Sequence, residues 1–387
     1  MIHHPIELFG LLCLVLATLH ALLILVAVIT WHLRRKSASA PRTSRVQPVT
    51  VLKPLCGAEP GLYLQLRSFC LQDHPRFQII FGTRDAADPA LAVARRLAAE
   101  FPDLSIDIMV NPQQHGSNYK CSNLHNMMAL ARYDLIAIAD SDTTVRPDYL
   151  RMVTTPLLDP GVGLVTSLSH DVPTPLLWSR LGAMYMNEWF MPGVLLTWLF
   201  GYRGYASGQT LCLRRATLEA IGGFGAIADY LAEDYRLGKL IRDIGLQIVI
   251  SPAIVTAEHH EPSLDALTRH EIRWMRTIRV LRPRSFRMLF LSFSMPLAIV
   301  GMAACAYDHS LSTIAWALFA ATVFARLGLH LVHRLDRDEP VLSDLWLLPL
   351  RDLLLCWVWC RSFFSSRITW RGREFEVSVD GMIRQET

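Results

Sequence analysis

Leu135-Ile136-Ala137-Ile138-Ala139-Asp140-Ser141-Asp142 carries the first decision about the fold. Five apolar residues without alternation read as a strand buried on both faces, as in a parallel sheet covered by helices. The run ends on two acids one residue apart. At a strand end, positions i and i+2 project the same way, so both carboxylates converge on one point. Ligands of such sheets bind beyond the carboxyl ends of the strands, which is where these acids stand. A hard dication takes carboxylate oxygens and completes its shell with substrate phosphates. Asp140 and Asp142 are therefore the expected ligands of Mg2+ or Mn2+, which would neutralise diphosphate charge as a sugar departs. The competing reading is an acidic loop that caps a helix over residues 147–158.

The same texture extends to both sides. Short β-rich runs at 49–52, 77–83, 105–110, 135–139 and 162–168 alternate with helix-like stretches such as 89–101 and 122–131. Residues 48–287 thus read as one α/β catalytic domain. Lys53 closes the first strand and is an expected donor contact, and Asp85 and Asp88 follow the second, where either acid could bond a uracil or ribose; Asp88 also suits a cap before Pro89. Lys120, in the loop 115–120, is a candidate for phosphate or a solvated loop lysine. Glu233-Asp234 follows the turn Gly222-Gly223-Phe224. Transfer to a hydroxyl needs a general base, and a carboxylate at a helix start can serve. Asp234 is the expected base, and Glu233 an acid that favours the helix N-terminus. In His270-Glu271-Ile272-Arg273-Trp274, the Arg273 guanidinium suits diphosphate, and the Trp274 indole suits a sugar face or the membrane interface. The alternative is a juxtamembrane basic helix on lipid headgroups.

Composition adds the membrane. Apolar residues make up 52% of the chain and charged ones 19%, and the mean hydropathy of +0.28 is high for a soluble enzyme. Residues 8–33 hold no charge and are followed by Arg34-Arg35-Lys36, long enough to span. The basic cluster lies after the apolar run, unlike a signal peptide, so residues 1–36 are expected as a retained anchor with a cytosolic basic end. Residues 37–47 read as a linker, 288–366 as a membrane region and 367–387 as a cytosolic tail. Within 288–366, 288–307 and 313–332 are expected to span. Residues 345–360, broken by Pro349, Arg351 and Asp352, are expected to be interfacial or re-entrant, with three full spans as the alternative. The eight cysteines form no CxxC pair and read as reduced, buried or lipid-facing apolar residues. No basic run with interleaved aromatics points to nucleic acid.

VTVLKPLCG, RDAADPA, GSNYKCSNL, ADSD, GGF, AEDYRLG, HEIRW and ITWRG resemble, in order and spacing, the ceramide glucosyltransferases of glycosyltransferase family 21 and their hopanoid-biosynthesis relatives. The resemblance implies a GT-A fold, a mixed and mostly parallel Rossmann-like sheet. It also implies a UDP-sugar donor, inversion at the anomeric carbon, a membrane lipid acceptor and a multi-pass protein of a bacterial inner membrane with a cytoplasmic catalytic domain. It makes Asp88, Asp140 and Asp234 the functional aspartates, with Asp234 as base, Asp140 toward the donor and Asp142 as the more direct metal ligand. Two features depart from the family: His270 stands first in the RxxRW/QxxRW signature, and residues 184–204 show Glu188-Trp189-Phe190 with no histidine. The acceptor is thereby opened to lipids other than ceramide. KPLCGAEPG and QHGSN are closest to the branch that resembles enzymes adding N-acetylglucosamine to bacteriohopanetetrol. Processive synthases of the cellulose or hyaluronan type share DxD, ED and RW motifs and form the alternative.

Overall fold

In the computed structural model, which describes residues 5–37, 46–306, 312–364, 367–370, 373–377 and 381–385, the apolar runs become strands. These are β1 (Val49–Pro54), β2 (Phe77–Thr83), β3 (Ser105–Val110), β4 (Leu135–Ile138), β5 (Thr143–Thr144), β6 (Val162–Pro173), β7 (Leu211–Arg214) and β8 (Gln247–His259). They form one sheet in the order β3-β2-β1-β4-β7-β6-β8-β5. The first four are parallel. β7 pairs antiparallel with β4 and β6, and β5 antiparallel with β8, so the sheet is mixed.

Both faces are covered. Val49, Val51, Ile79, Phe81, Leu135 and Ala137 face a core built with the helices Leu62–Cys70 and Ala90–Glu100. Leu52, Ile80, Ile136 and Ile138 face a second core with the helices Tyr119–Met127 and Glu233–Asp243. Strict alternation between two apolar cores is why the strands show no polar alternation in sequence.

The chain divides into two compact units, each assembled from separate segments: Met1–Ser37, Pro173–Tyr202 and His259–Thr369 form one, and Ala38–Val172, Arg203–Glu258 and Trp370–Thr387 the other. Segments 173–202 and 259–287, which the linear reading placed in the sheet domain, thus group with the apolar helices.

Among its described residues, the helical unit contains two helices long and apolar enough to cross a membrane, Pro5–Lys36 and Ser312–Leu335. Thr18 joins them through Thr322, hydroxyl to hydroxyl at 2.9 Å. The expected span over 288–307 is not one helix: Pro283–Ser292 and Ser294–Cys305 meet at 64° and supply a third crossing only if counted together. Pro296 explains the break, because it has no N–H for the Ser292 carbonyl and its ring would clash there. Residues 345–360 fold into a short turn, Leu345–Leu347, and the helix Leu348–Arg361. Its charges are not left to lipid. Arg351 donates to both oxygens of Glu271, at 2.6 and 2.8 Å. Arg326 donates to Asp352 at 3.1 and 3.2 Å and to Glu188 at 2.7 Å, and His330 meets the other Glu188 oxygen at 2.8 Å. The apolar stretch 193–200 lies in the helix Met191–Leu199 and the residue after it; there Trp198 packs edge-on to Trp31 at 5.3 Å.

The tail does not trail away. Leu231 N–H donates to the Gly381 carbonyl at 3.0 Å, and Ile383 N–H donates to the Asp229 carbonyl at 2.8 Å. It braces the segment that leads into Glu233-Asp234.

Candidate active site

Four loops of the sheet unit bring the acids together. β1 ends in Lys53, which is fully buried and lies 3.7 Å from the centre of the Phe69 ring. Its ammonium donates to the Asp140 carbonyl and, at 3.4 Å, to Thr143 Oγ1. Burial draws the Lys53 ammonium down to about 7, against the attraction of Asp142 and Asp140. Lys53, expected to meet the donor, therefore holds the backbone of the acid pair from beneath.

Asp142 is enclosed. Burial, then the neighbouring charge of Asp140, pushes its carboxyl up to about 6, with Lys53 opposing. Among the described residues, its Oδ1 is buried without a hydrogen-bond partner. A buried polar atom left unpartnered costs about 1–3 kcal/mol, more if charged. Two carboxylates with a spare buried oxygen fit a hard dication, and Asp140 and Asp142 are the residues that would hold it.

Lys120 links the two acidic motifs. Its Nζ lies 2.5 Å from Asp140 Oδ1 and 2.9 Å from Glu233 Oε1. Burial alone would lower its pKa, but Asp140 and Glu233 outweigh burial and hold it well above the ordinary lysine value. The preceding loop is fastened to the same place. Asn118 caps the helix Tyr119–Met127 by accepting from Lys120 N and Cys121 N, while its Nδ2 donates to the Tyr230 carbonyl at 2.9 Å and to Glu233 Oε2 at 3.3 Å. Ser117 N–H donates to Asp229 at 2.8 Å.

Asp234 sits on the first turn of the helix Glu233–Asp243. Its Oδ2 accepts from Gly208 N–H at 3.0 Å and its Oδ1 from Tyr235 N–H at 2.6 Å. Burial first, then Glu233, raises its carboxyl to about 6, with Lys120 opposing. Gly208 is the meeting point that sequence reasoning missed. A Cβ there would stand 2.7 Å from Lys120 Nζ and 3.2 Å from Asp140 Oδ2, so a side chain at this position would push the ammonium aside. Its signal was a glycine in Ser207-Gly208-Gln209, just before β7, with no charged neighbour to single it out.

The remaining candidates have contacts of their own. Asp85 is exposed and accepts from Ala87 N–H at 2.9 Å in a tight turn. Asp88 accepts from Ala90 N–H at 2.9 Å, as a cap would, and from Gly57 N–H at 3.0 Å, which ties the loop after β1 to the end of β2. Arg273 and Trp274 lie on the helix Leu264–Leu281 of the helical unit. Trp274 packs on His270 at 4.1 Å and on Tyr185 at 5.4 Å. Burial lowers the Arg273 pKa, with Glu261 opposing. Glu271, in the same motif, is spent on Arg351.

The sequence profile of Glycosyl transferase family 21 matches residues 14–383, nearly the whole chain. The chain belongs to glycosyltransferase family 21. This family 21 glycosyltransferase is 24% identical over 357 residues to ceramide glucosyltransferase 1 of Caenorhabditis elegans, covering 87% of this chain and 73% of that one. It is 33% identical over 114 residues to ceramide glucosyltransferase of Komagataella phaffii, covering 28% and 22%. Mannosyltransferase PcManGT from Pyrobaculum calidifontis, solved in complex with GDP-Man and Mn2+, aligns over 91% of this chain and 99% of its own, with a TM-score of 0.54 and 20% identity. That likeness, with the mixed sheet, establishes the GT-A fold.

Proposed function

We propose that this family 21 glycosyltransferase moves a single sugar, N-acetylglucosamine or glucose, from a UDP-sugar to a hydroxyl of a membrane lipid. The acceptor is a hopanoid such as bacteriohopanetetrol, or a ceramide, and inversion occurs at the anomeric carbon. The observation that carries the reading is the convergence around Gly208 of Asp140, Lys120 and Asp234. Asp140 and Asp142 would hold a divalent cation, Mg2+ or Mn2+, whose chemistry is to neutralise diphosphate charge as UDP leaves. Lys120 can exchange Asp140 for a diphosphate oxygen. Asp234, poised near 6, is mostly ionised at neutral pH and takes the proton of the attacking hydroxyl. Both its oxygens are aimed by backbone N–H groups, which leaves lone pairs for that proton. Asn118 and Lys120 hold Glu233 and so keep it from competing as base.

The apolar helices support a membrane-embedded, multi-pass protein. Arg34, Arg35 and Lys36 at the end of the first helix support a cytosolic catalytic unit, on the face of a bacterial inner membrane where UDP-sugars are found. The test is incubation of purified full-length protein with a panel of UDP-sugars and lipid extract, with the product identified by mass spectrometry. A monoglycosylated lipid is expected. A polymer would favour a processive synthase, and no donor consumption would overturn the reading.

A further inference from the structure

Outside the acid pair, a second set of metal-ligating side chains comes together in the helical unit. His259 Nε2, Glu261 Oε1 and His270 Nδ1 all lie within 4.8 Å of one another. Glu261 Oε1 is 2.7 Å from His270 and 3.8 Å from His259. We propose that His259, Glu261 and His270 form a three-ligand site for a borderline transition-metal dication of the Zn2+ class, chemically distinct from the all-carboxylate pair Asp140 and Asp142.

The ligand chemistry separates the two sites. Two imidazoles and one carboxylate select Zn2+-like ions, whereas carboxylates and phosphates suit Mg2+ and Mn2+. Tetrahedral zinc, with bonds of about 2.0–2.2 Å, sets its ligand atoms roughly 3.3–3.6 Å apart, so the Glu261–His270 spacing would open and the Glu261–His259 spacing close, each by less than about 1 Å. Two histidines and a glutamate leave a fourth position for water.

The ligands are also pre-positioned. His259 ends β8, and its carbonyl accepts from Thr174 N–H at 3.2 Å. The Glu261 backbone is held at both ends by Ser179: its N–H donates to Ser179 Oγ at 2.7 Å and its carbonyl accepts from it at 3.3 Å. Ser263 then caps the helix that carries His270, accepting from Ala266 N–H at 3.1 Å. The two imidazoles lie nearly parallel, 4° apart. Gly182 makes room: a Cβ there would fall 2.1 Å from His259 Nε2. A bound ion would tie His259 and Glu261 to the helix bearing Arg273 and Trp274, which gives the departure at His270 from the RxxRW signature a function.

The experiment uses full-length protein in detergent, with the exposed thiols Cys56 and Cys360 alkylated, stripped with chelator and supplied with excess Mg2+. Zn2+ is titrated in competition with a chromophoric chelator. One tight equivalent is expected in wild type and in Asp142→Asn. Affinity should fall at least about tenfold in His270→Gln and in Glu261→Gln, and also in Gly182→Ala, which removes no ligand and places alanine in a helix. Co2+ should give d–d bands without thiolate charge transfer. Should a ligand variant fail to fold, Gly182→Ala and the wild-type Co2+ spectrum decide. No Zn2+ equivalent in wild type, a thiolate spectrum, or unchanged affinity in folded His270→Gln would each overturn the site.

Discussion

Arg351 and Lys120 are both cations enclosed by protein, yet they are partnered by opposite rules. In the helical unit, Arg351 has both oxygens of a single acid, Glu271, and the Leu181 carbonyl. Arg326 is likewise closed by Asp352 and Glu188. In the sheet unit, Lys120 and Lys53 stand among four carboxylates: Asp140, Asp142, Glu233 and Asp234. Buried ions are tolerated when their charges are paired, as Arg351 is by Glu271 even though its Nε has no hydrogen-bond partner among the described residues. A surplus of acids, with burial raising the pKa values of Asp142 and Asp234, is instead the pattern expected of a functional site. The first arrangement carries structure through an apolar region; the second is where the chemistry is proposed.

The largest expected effect removes the base. Asp234→Asn should lose about 10²–10⁴-fold in turnover while donor binding, measured on the same preparation, stays intact. The acidic limb of the wild-type rate profile should lie near pH 6, since Asp234 must be ionised to accept the proton and its carboxyl is raised to about 6. Activity should therefore fall as pH drops below that value. A limb near pH 4 would deny the raised pKa.

Breaking the closed pair comes next. Arg351→Met leaves Glu271 buried and alone, which should cost about 3–5 kcal/mol in stability. Replacing Glu271 as well, in Arg351→Met with Glu271→Leu, should recover most of it. A melting curve in detergent reads both; no recovery in the double variant would show that Arg351 acts beyond this pair.

Lys120→Met should be milder, about 1–3 kcal/mol, and conditional. Without divalent cation it leaves Asp140 and Glu233 uncompensated, so added Mn2+ should raise its melting temperature more than that of wild type. Equal shifts would mean that lysine and cation do not share Asp140.

The parallel half of the sheet was legible because its strands are uninterrupted apolar runs: β2 and β3 match their expected bounds, and β1 and β4 nearly so. The antiparallel half was less legible. β5 has two residues and β7 has four, too short for periodicity to register. The acids were visible as motifs, but not Gly208, whose role is an absence of side chain. The division of segments between units was hidden because neither 173–202 nor 259–287 holds an apolar run long enough to cross a bilayer. The buried Glu271–Arg351 pair spans 80 positions, beyond any local pattern.

The comparison rests on Asp142, whose Oδ1 stands buried and unpartnered among the described residues. Calorimetric titration of UDP into wild type and Asp142→Asn, each with and without Mn2+, tests it most directly. The account expects Mn2+ to tighten UDP binding in wild type by at least about tenfold and to leave the folded variant unchanged. Equal dependence on Mn2+ in both proteins would contradict it.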